Sequence, residues 1–198
     1  MIDDKDKTMI GDPNPDYVYG FNIATAYKGF DFSLNISGQA GNQIIMSYRD
    51  WGRVYNNSST DALNRWQWVD KNSNGIVDAG EGTSNTVPRF TGGADPNNNW
   101  ILVSDLYIQD AGFMKIKSIN LGYDFKSLFK KAPVQQFRLY VAATNLLTLT
   151  HYKGFDPEVG YGSSYNGQGQ LVDAYASGID IGFYPAARTY LIGLNVKF

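Results

Sequence analysis

The sequence has no cysteine and a single histidine, His151. Disulfide scaffolds, thiolate zinc sites and thiol catalysis therefore fall away, as do metal sites built on His pairs. Charge is scarce and balanced: seventeen Lys and Arg stand against nineteen Asp and Glu, a net charge of −2. Without a basic excess the chain lacks the electrostatic footprint of a nucleic-acid binder. No run approaches the roughly 18 apolar residues that a membrane helix requires. The start, charged from Asp3 to Lys7, has no apolar core of a signal peptide. Either the chain is cytoplasmic or residue 1 is an interior point of a longer, exported protein. What the chain does have is fourteen Tyr, eleven Phe, four Trp and twenty-one Gly in 198 residues. That composition suits an all-β protein outside the cytosol or one within a membrane.

Five segments alternate apolar and polar residues with period 2, which predicts strands near 17–27, 30–46, 113–125, 134–146 and 188–198. In the first, Tyr17, Tyr19, Phe21, Ile23, Thr25 and Tyr27 share a face opposite Val18, Gly20, Asn22, Ala24 and Ala26. Lys28-Gly29 then predicts a two-residue hairpin, with glycine taking a positive φ. Two long Gly-, Asn- and Ser-rich connections, 47–100 and 150–187, alternate with the short ones. No amphipathic helix is expected, and at most one helical turn at 127–131.

Alternation alone fits either a soluble β-sandwich or a lipid-facing barrel. Three features favour lipid. Short and long connections alternate, so all the short ones lie at one end of the sheet, as in outer-membrane barrels. Aromatic residues such as Tyr17, Tyr27, Phe30, Tyr123, Phe137 and Tyr190 gather at strand ends, where interfacial girdles form. The apolar rows of four strands carry no charge, whereas Asp31, Arg138 and Lys197 fall on the polar rows. Lys115 and Lys117 break this rule on the third strand, and their place near its loop end puts them above the lipid. The final strand, with Tyr190, Ile192, Leu194, Val196 and Phe198 on one row, resembles the signal read by the outer-membrane assembly machinery.

Several blocks in order resemble the C-terminal barrel of SusC/RagA-type TonB-linked outer-membrane proteins. They are Gly11-Asp-Pro-Asn-Pro-Asp-Tyr17, Tyr27-Lys-Gly-Phe-Asp-Phe32 and Asp110-Ala-Gly-Phe-Met-Lys-Ile-Lys-Ser-Ile-Asn-Leu-Gly-Tyr123. They continue with Ala143-Thr-Asn-Leu-Leu-Thr148, Tyr152-Lys-Gly-Phe-Asp-Pro-Glu158, Tyr184-Pro-Ala-Ala-Arg-Thr-Tyr190 and Gly193-Leu-Asn-Val-Lys-Phe198. The resemblance implies an all-β, antiparallel transmembrane β-barrel segment, about the last five strands of a 22-stranded barrel in a Gram-negative outer membrane. It implies TonB-energised import of large nutrients, glycans or peptides, with a SusD-like surface lipoprotein as partner. The plug, the TonB-contacting region and the signal peptide are expected outside residues 1–198, and five strands alone would not transport. The alternative is a secreted carbohydrate-binding β-sandwich with a calcium-stiffened loop.

That loop is 70–81. Asp70, Asn72, Asn74, Ile76, Asp78 and Glu81 sit at the spacing of a calcium loop, with Gly75 at its sharp turn. Asn at two positions where Asp is common lowers the ligand charge and predicts weak Ca²⁺ affinity. An ordinary Asn/Gly turn fits the same residues. Trp51, Trp66, Trp68 and Trp100 lie in or beside the first long connection, as stacking platforms for sugar rings or as loop packing. Tyr161, Tyr165 and Tyr175 in the second invite the same two readings. Asp156 and Glu158 are the nearest approach to paired carboxylates and suggest a structural turn. His151 has no nucleophile frame, and Gly160-Tyr-Gly-Ser-Ser lacks the Gly-Lys-[Ser/Thr] of a phosphate loop. The expectation is a protein that is not an enzyme.

Overall fold

The computed structural model describes residues 4–47, 60–76, 78–83, 87–89, 99–100, 102–128, 131, 133–158 and 178–198. Two compact units divide the chain, one of residues 11–45 and 109–198, the other of 1–10 and 46–108. The described residues form eight strands, β1 Tyr17–Tyr27, β2 Phe30–Ala40, β3 Gln43–Met46, β4 Ile108–Asp110, β5 Phe113–Asp124, β6 Gln136–Thr150, β7 Ile179–Asp180 and β8 Thr189–Lys197. No α-helix occurs among the described residues, only short 3₁₀ turns such as Phe125–Ser127, which meets the start of the turn expected at 127–131; residues 129 and 130 lie outside the described residues.

The first unit is built on a five-stranded antiparallel meander, β1-β2-β5-β6-β8. Lys28 and Gly29, with φ of 47° and 90°, close the β1–β2 hairpin in the mirror-image turn that suits the twist of the flanking strands. A second sheet, β4-β3-β7, lies where the long connections leave the meander. The single strand expected over 30–46 is therefore two. Gly41, at φ +92°, turns the chain between β2 and β3, and a Cβ there would sit 2.2 Å from an Asp16 carboxylate oxygen. Ile44, Ala111, Phe113, Ala143 and Tyr152 are buried in this unit. In the other unit, isolated bridges pair Arg65 with Val87 and Trp68 with Gly82.

Register corrects one expectation of sidedness. Ile116 faces Ile36 and Ser118 faces Asn35, so Lys117 is an extra residue in β5 relative to β2. An inserted residue reverses the alternation on one side of the bulge. Lys115 consequently pairs with Ser37 and Thr148 on the polar face, not on the apolar row above lipid. With that exchange the apolar rows contain no charged residue on any of the five strands.

Those rows are uncovered. Phe21, Ile23, Phe30, Leu121, Leu139, Val141, Ile192 and Leu194 all remain exposed. A sandwich needs a second sheet over this face, and none lies on it among the described residues. At the short-turn end a band of rings follows the sheet edge: Phe30–Tyr123 at 4.4 Å, Tyr123–Phe125 at 4.9 Å and Phe125–Phe137 at 6.0 Å between centroids. β1, at 11 residues, is long enough to cross a bilayer core, for which about 9–11 tilted residues suffice.

Candidate functional site

The polar face is organised by two side-chain networks. Near the short-turn end, Arg138 Nε and Nη2 donate to Asp31 Oδ1 and Oδ2 at 2.7 and 2.5 Å, a bidentate pair between β6 and β2. The pair spans β5 over Gly122, where a Cβ would meet both partners at 2.5 Å. The Arg138 guanidinium also stacks on the Tyr140 ring at 4.7 Å, and Tyr140 in turn covers Gly193 of β8. One layer of side chains thus links four of the five strands.

The second network lies at the long-connection end. Lys115, 1% exposed, donates to Asp156 Oδ1 and Oδ2 at 2.9 and 3.1 Å and to Glu158 Oε2 at 2.9 Å. Lys117 donates to both oxygens of the same Glu158. Burial pushes the Glu158 carboxyl up, but hydrogen bonds from Lys117 and Lys115 outweigh it and hold the group below its ordinary value. Tyr152, also buried, donates its hydroxyl to the buried Asp180 carboxylate, whose Oδ1 accepts from the Gly182 and Phe183 amides at 2.8 and 3.3 Å. The two ends of the second long connection are therefore tied together. Sequence reasoning had all four charged residues yet did not join them. The signal was two lysines on a nominally apolar row and two carboxylates spaced two apart.

The 70–81 turn adopts a compact form in which its acidic oxygens accept from its own donors. Asp70 takes the amides of Asn74 and Gly75 at 3.2 and 2.7 Å, with Gly75 at φ +76°. Buried Glu81 takes those of Lys71, Asn72 and Asp78 at 3.0, 3.2 and 3.3 Å. Asp78 accepts from the side-chain amides of Asn72 and Asn74, which lower its pKa. The Asn74 side-chain oxygen Oδ1 accepts from the Ile76 amide at 2.8 Å. No group of three or more His, Asp or Glu side chains converges as a metal site among the described residues. This turn satisfies itself.

Of the tryptophans, Trp51 lies outside the described residues, as do Tyr161, Tyr165 and Tyr175. Trp66 covers Gly82, where a Cβ would meet its ring at 2.4 Å, and Trp68 is partly exposed beside it. Trp100 is half-buried, and its carbonyl accepts from the Tyr107 hydroxyl at 2.9 Å. Tyr190, Ile192, Leu194 and Val196 share the apolar face of β8, and Phe198, just beyond it, is exposed.

No family model matches the chain. TonB-dependent receptor P3 of Formosa agariphila is 33% identical over 199 residues, covering 100% of this chain and 18% of that protein. TonB-dependent receptor SusC of Bacteroides thetaiotaomicron is 30% identical over 199 residues, covering 100% of this chain and 16% of that protein. Among solved structures, the RagAB peptide importer in its open-open state superposes with a TM-score of 0.64 at 23% identity, over 93% of this chain and 17% of the other. That likeness concerns the fold. Matched along its whole length, the chain belongs to the SusC/RagA-type TonB-dependent receptors, as a segment spanning 16% to 18% of the curated relatives it matches.

Proposed function

We propose that the chain is part of the wall of an outer-membrane TonB-dependent nutrient transporter, its apolar face toward lipid and its polar face toward the pore. The carrying observation is the charge-free, uncovered apolar face that runs across all five strands once the β5 bulge is taken into account. A charge placed at the bilayer midplane of such a face costs roughly 2–4 kcal/mol, which accounts for the segregation. In this reading the five strands are the last of a 22-stranded barrel, and β8 presents its aromatic-ended row to the outer-membrane assembly machinery. The cargo is a large nutrient, glycan or peptide. A SusD-like lipoprotein closes over the mouth, and TonB acts through regions outside this chain. RagAB is described as a peptide importer, which supports the cargo class.

The test uses the intact transporter in outer membranes. Ser33→Cys should react with a water-soluble maleimide, whereas its neighbour Leu34→Cys should react only with a lipid-soluble one. Recovery of the protein in the soluble fraction, or the opposite labelling pattern, would overturn the reading.

For the 70–81 turn we propose weak uptake of Ca²⁺, in the millimolar range, because the ion competes with hydrogen bonds already made and only Asp70, Asp78 and Glu81 supply charge. The preformed bend at Gly75 favours it. Calcium titration followed by calorimetry decides: no uptake at millimolar concentration, or uptake unchanged in Glu81→Ala, removes the ion from the account.

A further inference from the structure

Residues 151–158 leave the end of β6 and lie against the polar face of β5. Their attachment is graded along their length. Tyr152 is held by its backbone N–H, which donates to Thr150 Oγ1 at 3.0 Å, and by its hydroxyl, which donates to Asp180. Asp156 meets Lys115, side chains 15% and 2% exposed, in a pair closed to solvent. Glu158 meets Lys115 and Lys117 at an outer arm, where Lys117 and Glu158 are 31% and 43% exposed. The three N–H donors of the Lys115 ammonium have three acceptor oxygens, and the two lysines balance the two carboxylates in charge. The bulge is what makes this geometry available. Without the extra residue, Lys115 would stand on the apolar face and could not reach the segment at all.

We propose that 151–158 is a strap on the pore face, latched by Lys115 and opening from its Glu158 end inward, so that the latch sets how far the strap stands off the wall at the long-connection end. The proposal rests on the assignment of the polar face to the pore. Its physical basis is the unequal solvation of the two arms. The partly exposed Lys117–Glu158 arm is screened by salt and weak, whereas Lys115–Asp156 is shielded, and breaking it leaves the buried Lys115 with Glu158 alone to balance its charge.

The experiment is amide hydrogen exchange on the intact transporter in detergent, comparing Glu158→Gln and Asp156→Asn with the parent. Glu158→Gln should raise exchange mainly at the last amides of the strap. Asp156→Asn should raise it across 151–158 by about tenfold or more, with β5 and β6 still protected. Raising NaCl to 1 M on the unmodified protein should reproduce the Glu158→Gln pattern, which keeps the test decisive if Asp156→Asn does not fold. Unchanged exchange at 151–158 in Glu158→Gln and in 1 M NaCl would overturn the latch, as would equal loosening of the whole strap in every case. The Ser33→Cys and Leu34→Cys labelling separates the two readings. Expected labels with unchanged exchange leave the pore face standing and remove the latch. Reversed labels with graded exchange remove the pore assignment alone.

Discussion

Arg138 reaches across an intervening strand to grip Asp31 with both arms of its guanidinium, and it passes over Gly122 to do so. The glycine is there for space, since any Cβ would stand 2.5 Å from both partners. Gly122→Val should therefore separate the pair and cost about 1–2 kcal/mol, in the range of a charge-assisted hydrogen bond partly open to water. Arg138→Lys should lose most of the same stability, because an ammonium cannot replace the two-point fork. Urea unfolding of the intact transporter gives the numbers. In an Arg138→Met background Gly122→Val should cost clearly less; equal costs in both backgrounds would show that the two residues are not coupled.

Adjacent residues of β2 test the sidedness of the sheet. Leu34 lies on the apolar row opposite Ile23 and Ile119, whereas Ser33 faces Ala24 and Asn120. Leu34→Arg should weaken folding into vesicles by roughly 2–4 kcal/mol, against less than about 1 kcal/mol for Ser33→Arg, whose new charge has Asp31 two residues away on the same face. Similar losses for both would contradict a lipid-facing row.

What the sequence made legible follows from periodicity. β1 and β2 alternate without interruption, so their faces and their hairpin could be read residue by residue. β5 could not, because a single inserted residue at Lys117 changes the parity and nothing in composition marks a bulge. Two lysines on an apolar row were the visible symptom, and the structure supplies the cause. β3, β4 and β7, of four, three and two residues, are too short to carry a period and exist through tertiary pairing. The Lys115 cluster joins residues 41 and 43 positions apart, a distance that local pattern does not span.

Asn145 should be replaceable by glycine but not by a β-branched residue. It sits in β6 at φ +50°, at the irregularity opposite the β5 bulge, and its side-chain amide donates to the Ala187 carbonyl at 3.0 Å just before β8 begins. Asn tolerates this left-handed conformation, glycine favours it and valine resists it. Asn145→Gly should lose only the hydrogen bond, about 1 kcal/mol, while Asn145→Val adds strain of roughly 1–2 kcal/mol more. Unfolding midpoints of the two variants check the order. Equal stability would mean that the positive φ is not required in the folded protein.

Between neutral and acid pH, the attachment of 151–158 should weaken only as Glu158 takes up a proton. Glu158 faces Lys115, Lys117 and Asp156, and its carboxyl is held below the ordinary value of 4.5 because the two ammonium groups outweigh the effect of burial. A carboxylate whose folded pKa is depressed stabilises the fold fully above its unfolded pKa, and that contribution disappears as pH falls through the folded value. Exchange at 151–158, corrected for intrinsic chemistry, should therefore stay flat from pH 7 to about pH 5 and rise below the ordinary carboxylate range. Glu158→Gln should start from the looser level at neutral pH and show a smaller rise on acidification. Loosening centred near neutrality, or an acid response unchanged in Glu158→Gln, would assign the pH dependence to another group.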